Sequence, residues 1–368
     1  MHEEQRQRAH DLLRSQGIEF ALFASRPSVT WLTGFAPPIQ LGQHPFAGGP
    51  PLVWYSGGEW TLVVLDTYVE AASESGLPVV GYLGYTIKAP IDGHNHLLTE
   101  LRELVGGLAG PVGVEEQAFP ASLRNAFGPD ARFAPIDGLL APLRMIKTEE
   151  ELAKLRANFA LTDVGLAAAR DAVRPGAREI EVWNAIHSAI EQTAGQRVSL
   201  GNDCTVGRRA HSGGWPLDVE IMPRDSFVVD LSTHLHGYCS DSCATYYAGE
   251  MSGKQRAMHQ TALDALELAI SLVKPGAVAS TIDRQIRQFM TDAGYPVYSH
   301  HTGHAVGTSP HEAPRIVPYD NTPLAAGMVL MLEPGIYFPG ETAVRLEHAV
   351  LVTDIGAELL TTHDISLP

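Results

Sequence analysis

Five residues are spaced as if to share one piece of chemistry: Asp230, Asp241, His304, Glu333 and Glu347. Asp230 closes the apolar run Phe227-Val228-Val229, and Asp241 lies beyond a His-Leu-His-Gly segment on what reads as the returning strand. The midpoint of the two positions falls inside that segment. A simple hairpin would therefore set the carboxylates directly opposite each other, with Cβ atoms roughly 4.5–5.5 Å apart. Carboxylates that close repel unless a cation lies between them, and paired metal ions about 3.5–4 Å apart need bridging carboxylates of this kind. The plainer alternative is a hairpin with two solvated aspartates, which fits poorly with so apolar a strand.

Glu333 ends the run Met328-Val329-Leu330-Met331-Leu332 and precedes Pro334-Gly335, while Glu347 lies in another apolar strand. The midpoint of this pair falls in the Phe-Pro-Gly-Glu turn, so these two also should meet across a hairpin. Strand alternation then puts Arg345 on the same face as Glu347. A surface strand would explain Arg345 and Glu347 but not Glu333, because an unpaired buried charge is very costly. Between the two pairs, His300, His304 and His311 sit among Gly303 and Gly307, where a backbone can approach a ligand closely. Imidazole is the commonest nitrogen ligand for divalent metals; taken singly, each histidine also suits an ordinary polar turn. Four carboxylates and one imidazole suit two divalent ions, Mn²⁺ first, with Co²⁺ or Zn²⁺ as alternatives. Arg315, in His-Glu-Ala-Pro-Arg-Ile, is a candidate for a two-pronged contact to a substrate carboxylate, or a plain surface arginine. Other ligand groupings, at Asp92-Gly93-His94-Asn95-His96 or at His234 and His236, have too few donors nearby and read as solvated loops.

These residues need strands to carry them and helices to cover the strands. Pro-Leu-Val-Trp-Tyr-Ser-Gly-Gly-Glu-Trp-Thr-Leu-Val-Val-Leu-Asp reads as two strands about a Ser-Gly-Gly turn, and Arg6 to Leu13 as an opening helix. Pro37, Pro38, Pro50 and Pro51 mark loops. Thr148 is an N-cap, with Glu149, Glu150 and Glu151 in the first turn where the helix dipole favours acids. The domain boundary is placed just before this helix, giving domains of residues 1–141 and 142–368. In the second, a Pro-Gly followed by an amphipathic helix occurs at Pro175 and again at Pro275. That faint repeat predicts an α+β domain in two pseudo-two-fold halves, helices outside a curved antiparallel sheet.

Composition narrows the class. A formal net charge of -16, with 26 basic against 42 acidic residues, argues against nucleic acid or an anionic membrane as partner, since both need a basic face. The charged N-terminus lacks the apolar core of a signal peptide, and no stretch is apolar enough to span a bilayer. Three cysteines, Cys204, Cys239 and Cys243, give neither a disulfide framework nor a cysteine-type zinc site. Cytoplasm is the simplest expectation.

With these residues in hand, the chain resembles the pita-bread metallopeptidases, in particular their proline-specific branch of prolidase and aminopeptidase P. The order Asp, Asp, His, Glu, Glu matches that family's ligand set. Gly-His-Ala-Val-Gly, His-Glu-Ala-Pro, Glu-Pro-Gly-Ile-Tyr and Arg-Leu-Glu are similar to its local signatures. Trp-Leu-Thr-Gly-Phe (31–35) and Leu-Arg-Met-Ile-Lys-Thr-Glu-Glu-Glu (143–151) resemble its creatinase-like N-terminal α/β domain and the junction after it. The resemblance implies hydrolysis of the bond before proline in a small peptide, with a dipeptidase slightly favoured over an aminopeptidase, and a homodimer. It implies a catalytic role for His211, at the end of Gly207-Arg208-Arg209-Ala210-His211, and a substrate-facing role for His311. It places His300 near the proline pocket, Glu333 as ligand and proton shuttle, and Arg345 among the carboxylates. Ser242-Cys243-Ala244-Thr245 departs from the family's Thr-Arg-Thr after the second Asp, so the surroundings of Asp241 and the substrate preference should differ. Two rivals remain: a creatinase-like C–N hydrolase on the same fold, whose members have typically lost these ligands, and a catalytically dead interaction module.

Overall fold

The computed structural model describes residues 2–37, 44–201 and 203–367; Pro38, read as a loop residue, lies outside them. The chain divides into two compact units, Met1–Arg144 and Met145–Pro368.

The first unit is a mixed sheet between helices. Its strands are β1 (Phe20–Phe23), β2 (Leu52–Ser56), β3 (Glu59–Leu65), β4 (Val79–Tyr82), β5 (Gly110–Val114) and β6 (Ala131–Pro135), in spatial order β4-β3-β2-β1-β5-β6. The Ser-Gly-Gly turn joins β2 to β3, with Gly57 and Gly58 both at positive φ, which glycine adopts without steric cost. Alternation sorts the side chains. Leu22, Trp54 and Val63 bury one face against Leu97 and Leu101 of helix α4 (Gly93–Val105). Phe23, Val53, Tyr55 and Leu62 bury the other against Leu13 of α1 (Glu3–Ser15) and Trp31 of α2 (Arg26–Thr33). Helix α3 (Val69–Ser73) follows β3, and α5 (Ala141–Met145) follows β6.

The second unit has helices α6 (Glu149–Ala172), α7 (Glu179–Ala194), α8 (Gly253–Leu272) and α9 (Ala279–Asp292). Thr148 caps α6 as expected: its hydroxyl takes the Glu151 N–H while the Glu151 carboxylate takes the Thr148 N–H. Strands β7 (Ser199–Gly201), β8 (Cys204–Val206), β9 (Ser226–Asp230), β10 (Ser232–Leu235), β11 (Tyr238–Cys239) and β12 (Cys243–Tyr247) form the sheets of the first half. The second half uses β13 (Gly303–Ala305), β14 (Glu312–Ile316), β15 (Val329–Leu332), β16 (Gly335–Phe338), β17 (Thr342–Arg345), β18 (His348–Val352) and β19 (Ala357–Leu359). Every strand pair in this unit is antiparallel.

The Pro-Gly repeat has a structural counterpart. Gly176 N–H donates to Ile221 O (2.9 Å) and Ile221 N–H to Ala177 O (2.8 Å); Gly276 and Leu324 (2.8 Å) and Leu324 and Ala277 (2.7 Å) repeat the pattern. Both glycines stand at φ 83. From Ile221 and Leu324 the chain runs into β9 and β15, each entered past a residue of positive φ, Arg224 and Gly327. Each strand leads to a carboxylate, Asp230 in one half and Glu333 in the other. The apolar sides of these sheets pack on the helices through one shared core that includes Leu166, Ile186, Phe227, Val229, Leu266, Ile286, Leu330 and Leu332.

Candidate metal centre

The Glu333–Glu347 register expected from the sequence is the one observed. Leu332 faces His348 at the end of the β15–β18 ladder, and Gly335 faces Arg345 in the β16–β17 hairpin. Both pairings carry the same register through Glu333 and Glu347, which therefore stand opposite each other.

Asp230 and Asp241 do not stand opposite each other, which corrects the reading of their hairpin. Asp230 faces Cys243, Leu231 and Ser242 exchange both backbone hydrogen bonds (2.9 and 3.2 Å), and His234 faces Cys239. The apex is a two-residue turn at His236 (φ 55) and Gly237 (φ 80), the double positive-φ geometry that matches strand twist. This moves the register by two residues. Asp241 becomes diagonal to Asp230 and stays on the same face, still within reach.

The ligand atoms of Asp241, His304 and Glu347 lie within 4.8 Å of one another, and all three residues are buried. His304 Nε2 is 3.7 Å from Asp241 Oδ2 and 3.6 Å from Glu333 Oε1. Its Nδ1 bonds Ala305 O at 3.0 Å. With the proton on Nδ1, Nε2 presents a lone pair to carboxylate oxygens, an arrangement that a bound cation reconciles. Neither oxygen of Glu347 receives a hydrogen bond, although both are buried. Burial and the charges of Asp230 and Glu347 push Asp241 well above the carboxylate range. Burial and the charges of Glu333 and Asp230 do the same to Glu347, and burial raises Glu333. Burial, then His311 and His301, hold His304 well below the usual imidazole value. Burial drives acidic and basic groups alike toward their neutral forms, and the crowding of carboxylates adds to it; a bound cation would restore the charged form of the acids. Oxygen donors with one imidazole fit divalent ions such as Mn²⁺ or Zn²⁺.

Arg345, buried, ties down the rim. Its Nη2 meets Asp230 Oδ2 (2.5 Å) and Asp203 Oδ2 (2.9 Å), Nη1 meets the Tyr337 hydroxyl (3.3 Å), and Nε meets Cys243 Sγ (3.4 Å). Cys243 thus packs against the guanidinium rather than joining the ligand groups. Asp203 Oδ1 in turn accepts the Gly214 N–H at 2.6 Å, fastening the loop that carries His211. His211 is exposed on a short turn (Ala210–Ser212), on the wall of a cleft of about 490 Å³ shared with Tyr298, His300, Tyr337 and Arg345.

His300 stacks on Tyr298 with ring centroids 4.6 Å apart, and its Nε2 is 2.9 Å from the Tyr337 hydroxyl. Burial and the nearby Arg345 charge lower its pKa to about 3, so the ring is neutral. The His311 ring lies 4.3 Å from that of His304 and 5.4 Å from that of His301. Arg315 is exposed and pairs with His304 across β13 and β14, hence on the same face. His94 and His96 hydrogen-bond to Gly48 O and Leu83 O, and no further ligand group forms around them, or around His234 and His236, among the described residues.

His301 escaped the sequence reading, yet its Nε2 lies 2.7 Å from Glu333 Oε1 and it clusters with His304 and His311. The doublet His300-His301 was the available signal, since two adjacent residues in extended chain face opposite ways. Asp203 was missed as well. Nothing in its polar loop marks it before the fold brings Arg345 to it.

The comparisons agree with this geometry. Residues 153–354 match the model of metallopeptidase family M24, and residues 5–146 match the creatinase/prolidase N-terminal domain. The chain is similar to an Xaa-Pro dipeptidase of Pyrococcus furiosus, 33% identical over 325 residues, covering 87% of this chain and 89% of that protein. Among solved structures it resembles the prolidase of Pyrococcus horikoshii OT3, with a TM-score of 0.85 at 26% identity and full coverage of both chains. It also resembles an Xaa-Pro dipeptidase of Bacillus anthracis, with a TM-score of 0.86 at 27% identity, covering 100% of this chain and 99% of that one. Two family models spanning nearly the whole chain, and a pita-bread unit with a buried ligand cluster, lead to one conclusion: the chain belongs to metallopeptidase family M24, in its proline-specific pita-bread branch.

Proposed function

We propose that this chain is an Xaa-Pro dipeptidase that releases proline from a small peptide. One observation carries the reading: the lone pair of His304 Nε2 and the carboxylates of Asp241 and Glu347 converge in a buried pocket, with no donor reaching Glu347. Likeness to enzymes named Xaa-Pro dipeptidase and prolidase supports the substrate class.

Asp230, Asp241, His304, Glu333 and Glu347 would hold two divalent ions, Mn²⁺ being proposed first and Co²⁺ or Zn²⁺ as substitutes. When bound, such ions supply Lewis acidity that makes a water acidic enough to attack near neutral pH. Glu333 takes the proton of the attacking water and passes it to the proline nitrogen as the C–N bond breaks. His211 and His311 hold the scissile carbonyl and the charge that develops on its oxygen. Arg345 fixes Asp230, His300 lines the proline pocket, and Arg315 takes the substrate carboxylate in a two-pronged contact. The amide before proline has no N–H, so recognition falls to ring shape and these polar anchors. In this reading residues 142–368 are the catalytic domain and residues 1–141 the creatinase-like one, a division supported by the two compact units. The protein is taken as a homodimer, the form its family resemblance implies, and as cytoplasmic, the simplest reading of its charged N-terminus and unpaired cysteines. No helix among the described residues is long and apolar enough to cross a membrane.

The test is direct. Protein stripped with a chelator is reloaded with Mn²⁺, Co²⁺ or Zn²⁺ and offered Ala-Pro and Ala-Pro-Ala, with Asp241→Ala as control. Metal-dependent release of proline from Ala-Pro alone is expected. Cleavage of the tripeptide would make it an aminopeptidase instead, and inactivity on both would remove the proline-peptidase reading.

A further inference from the structure

Helix α9 turns a hydrophobic face inward through Ile282, Ile286 and Met290, and on that same face buries a carboxylate, Asp283, completely. Its partner four residues on is Arg287. An Asp–Arg pair at this spacing ordinarily sits on a wet helix surface and contributes little to stability. This pair is engaged differently. Arg287 Nε bonds both Asp283 oxygens (2.8 and 2.9 Å), while Nη1 reaches Tyr298 O (2.8 Å) and Nη2 reaches His300 O (2.7 Å). Asp283 Oδ1 also accepts the Thr302 hydroxyl at 2.6 Å, and Thr302 Oγ1 lies 2.7 Å from the Tyr298 hydroxyl. Thr302 O receives the backbone N–H of Glu333 at 2.9 Å. The guanidinium lies over the Tyr298 ring, 4.7 Å from its centroid, and that ring is stacked on His300.

We infer that Arg287 and Asp283 are positioning residues: the pair holds two backbone carbonyls and one hydroxyl of residues 298–302, and thereby aims His300, His301 and His304 and seats Glu333. The inference rests on the metal-centre reading given above. Among the described residues, the segment between α9 and β13 pairs with no strand before Thr302. A planar fork of donors does for it what a sheet would do for a strand. A lysine, with one point-like ammonium, cannot bridge both carbonyls and the carboxylate at once. Outer partners of this kind typically govern metal affinity or activity by about 10–100-fold. A cleft of about 220 Å³ lined by Ser280, Asp283, Arg284 and Arg287 opens onto the pair, so a small cation can enter where the arginine has been removed.

The experiment compares wild type with Arg287→Ala and Arg287→Lys. Each metal-stripped protein is titrated with Mn²⁺ by calorimetry and then assayed on Ala-Pro. Both measurements are repeated with guanidinium chloride far below denaturing concentration, and with sodium chloride at equal strength. The expected result is Mn²⁺ binding weaker by roughly 10–100-fold in Arg287→Ala, partly restored by guanidinium and not by sodium. Arg287→Lys, which keeps the charge and most of the packing, stays impaired and secures the test if the alanine variant does not fold. Wild-type Mn²⁺ affinity in the variants overturns the inference, as does a loss that guanidinium leaves untouched. A wild type that binds Mn²⁺ but frees no proline overturns the dipeptidase reading instead, and the calorimetry still decides the role of Arg287.

Discussion

Arg345 and Asp230 meet at 2.5 Å, and the guanidinium nitrogen that makes this contact also lies 2.9 Å from Asp203. Asp203 holds the Gly214 N–H, so a single nitrogen joins a proposed ligand to the loop bearing His211. Arg345→Lys is expected to lower kcat/KM on Ala-Pro by roughly 10–100-fold and to weaken Mn²⁺ binding. Turnover and calorimetric titration of the same preparations check both, and an unchanged pair of values would remove Arg345 from the site.

Removing one buried carboxylate should act in opposite directions on the two forms of the protein. Without metal, Glu347 is crowded by Glu333, Asp230 and Asp241 with no donor to its oxygens. Glu347→Gln therefore raises the unfolding temperature of the chelated protein by about 2–4 °C for each kcal/mol of relieved repulsion. With Mn²⁺ the order reverses, because the stabilisation that comes from ligand binding to the folded state is lost. Paired thermal melts with and without a chelator decide it. A variant less stable in both conditions contradicts the reading.

His301→Asn tests a residue that the sequence reading passed over. Its ring nitrogen sits 2.7 Å from Glu333 Oε1, and its loss should lower kcat on Ala-Pro by about 10–100-fold. Glu333→Gln, by contrast, should cost at least the 10²–10⁴-fold (roughly) typical of a lost proton-transfer group. Rates measured at saturating Mn²⁺ separate the two, and equal losses would mean that His301 acts only by holding Glu333 in place.

A pH dependence comes from His259, a histidine outside the proposed ligand set. It is buried between Tyr247 OH (3.1 Å) and Ile365 O (2.8 Å), and burial lowers its pKa from 6.5. The unfolded chain then binds the proton more readily than the folded one. This contribution is complete above the unfolded value and is lost as pH falls below about 6.5. The unfolding temperature of wild type should drop between pH 7 and pH 5 more than that of His259→Gln. Parallel curves for the two proteins would dismiss the effect.

What could be read from the sequence depended on whether local chemistry spoke for itself. A carboxylate closing an apolar strand is costly unless it has a purpose, and that marked Asp230 and Glu333, which end equivalent strands of the two halves. Phe-Pro-Gly-Glu held the symmetric turn that brings Glu333 to Glu347. His236 hid the register of the other hairpin, because a histidine at positive φ carries no signal in its type. Asp203, Cys243, Tyr337 and Arg345 come together from distant segments, and no spacing announces such a meeting. Asp283 and Arg287 have the types and spacing of any helix surface pair, so nothing in the sequence singled them out; the burial of Asp283 sets them apart.

The two-residue apex at His236 and Gly237 also limits how this protein can diverge. Asp230 and Asp241 share a face because the chain between them folds with one fixed parity. Inserting or deleting a single residue in the paired strands beside it, where no loop absorbs the change, would turn the side chains beyond that point, Asp241 among them, to the opposite side of the sheet. Such a lineage would lose Asp241 from the pocket without changing a single ligand in its sequence. Descendants of this chain should therefore vary the hairpin by substitution, or lengthen it two residues at a time.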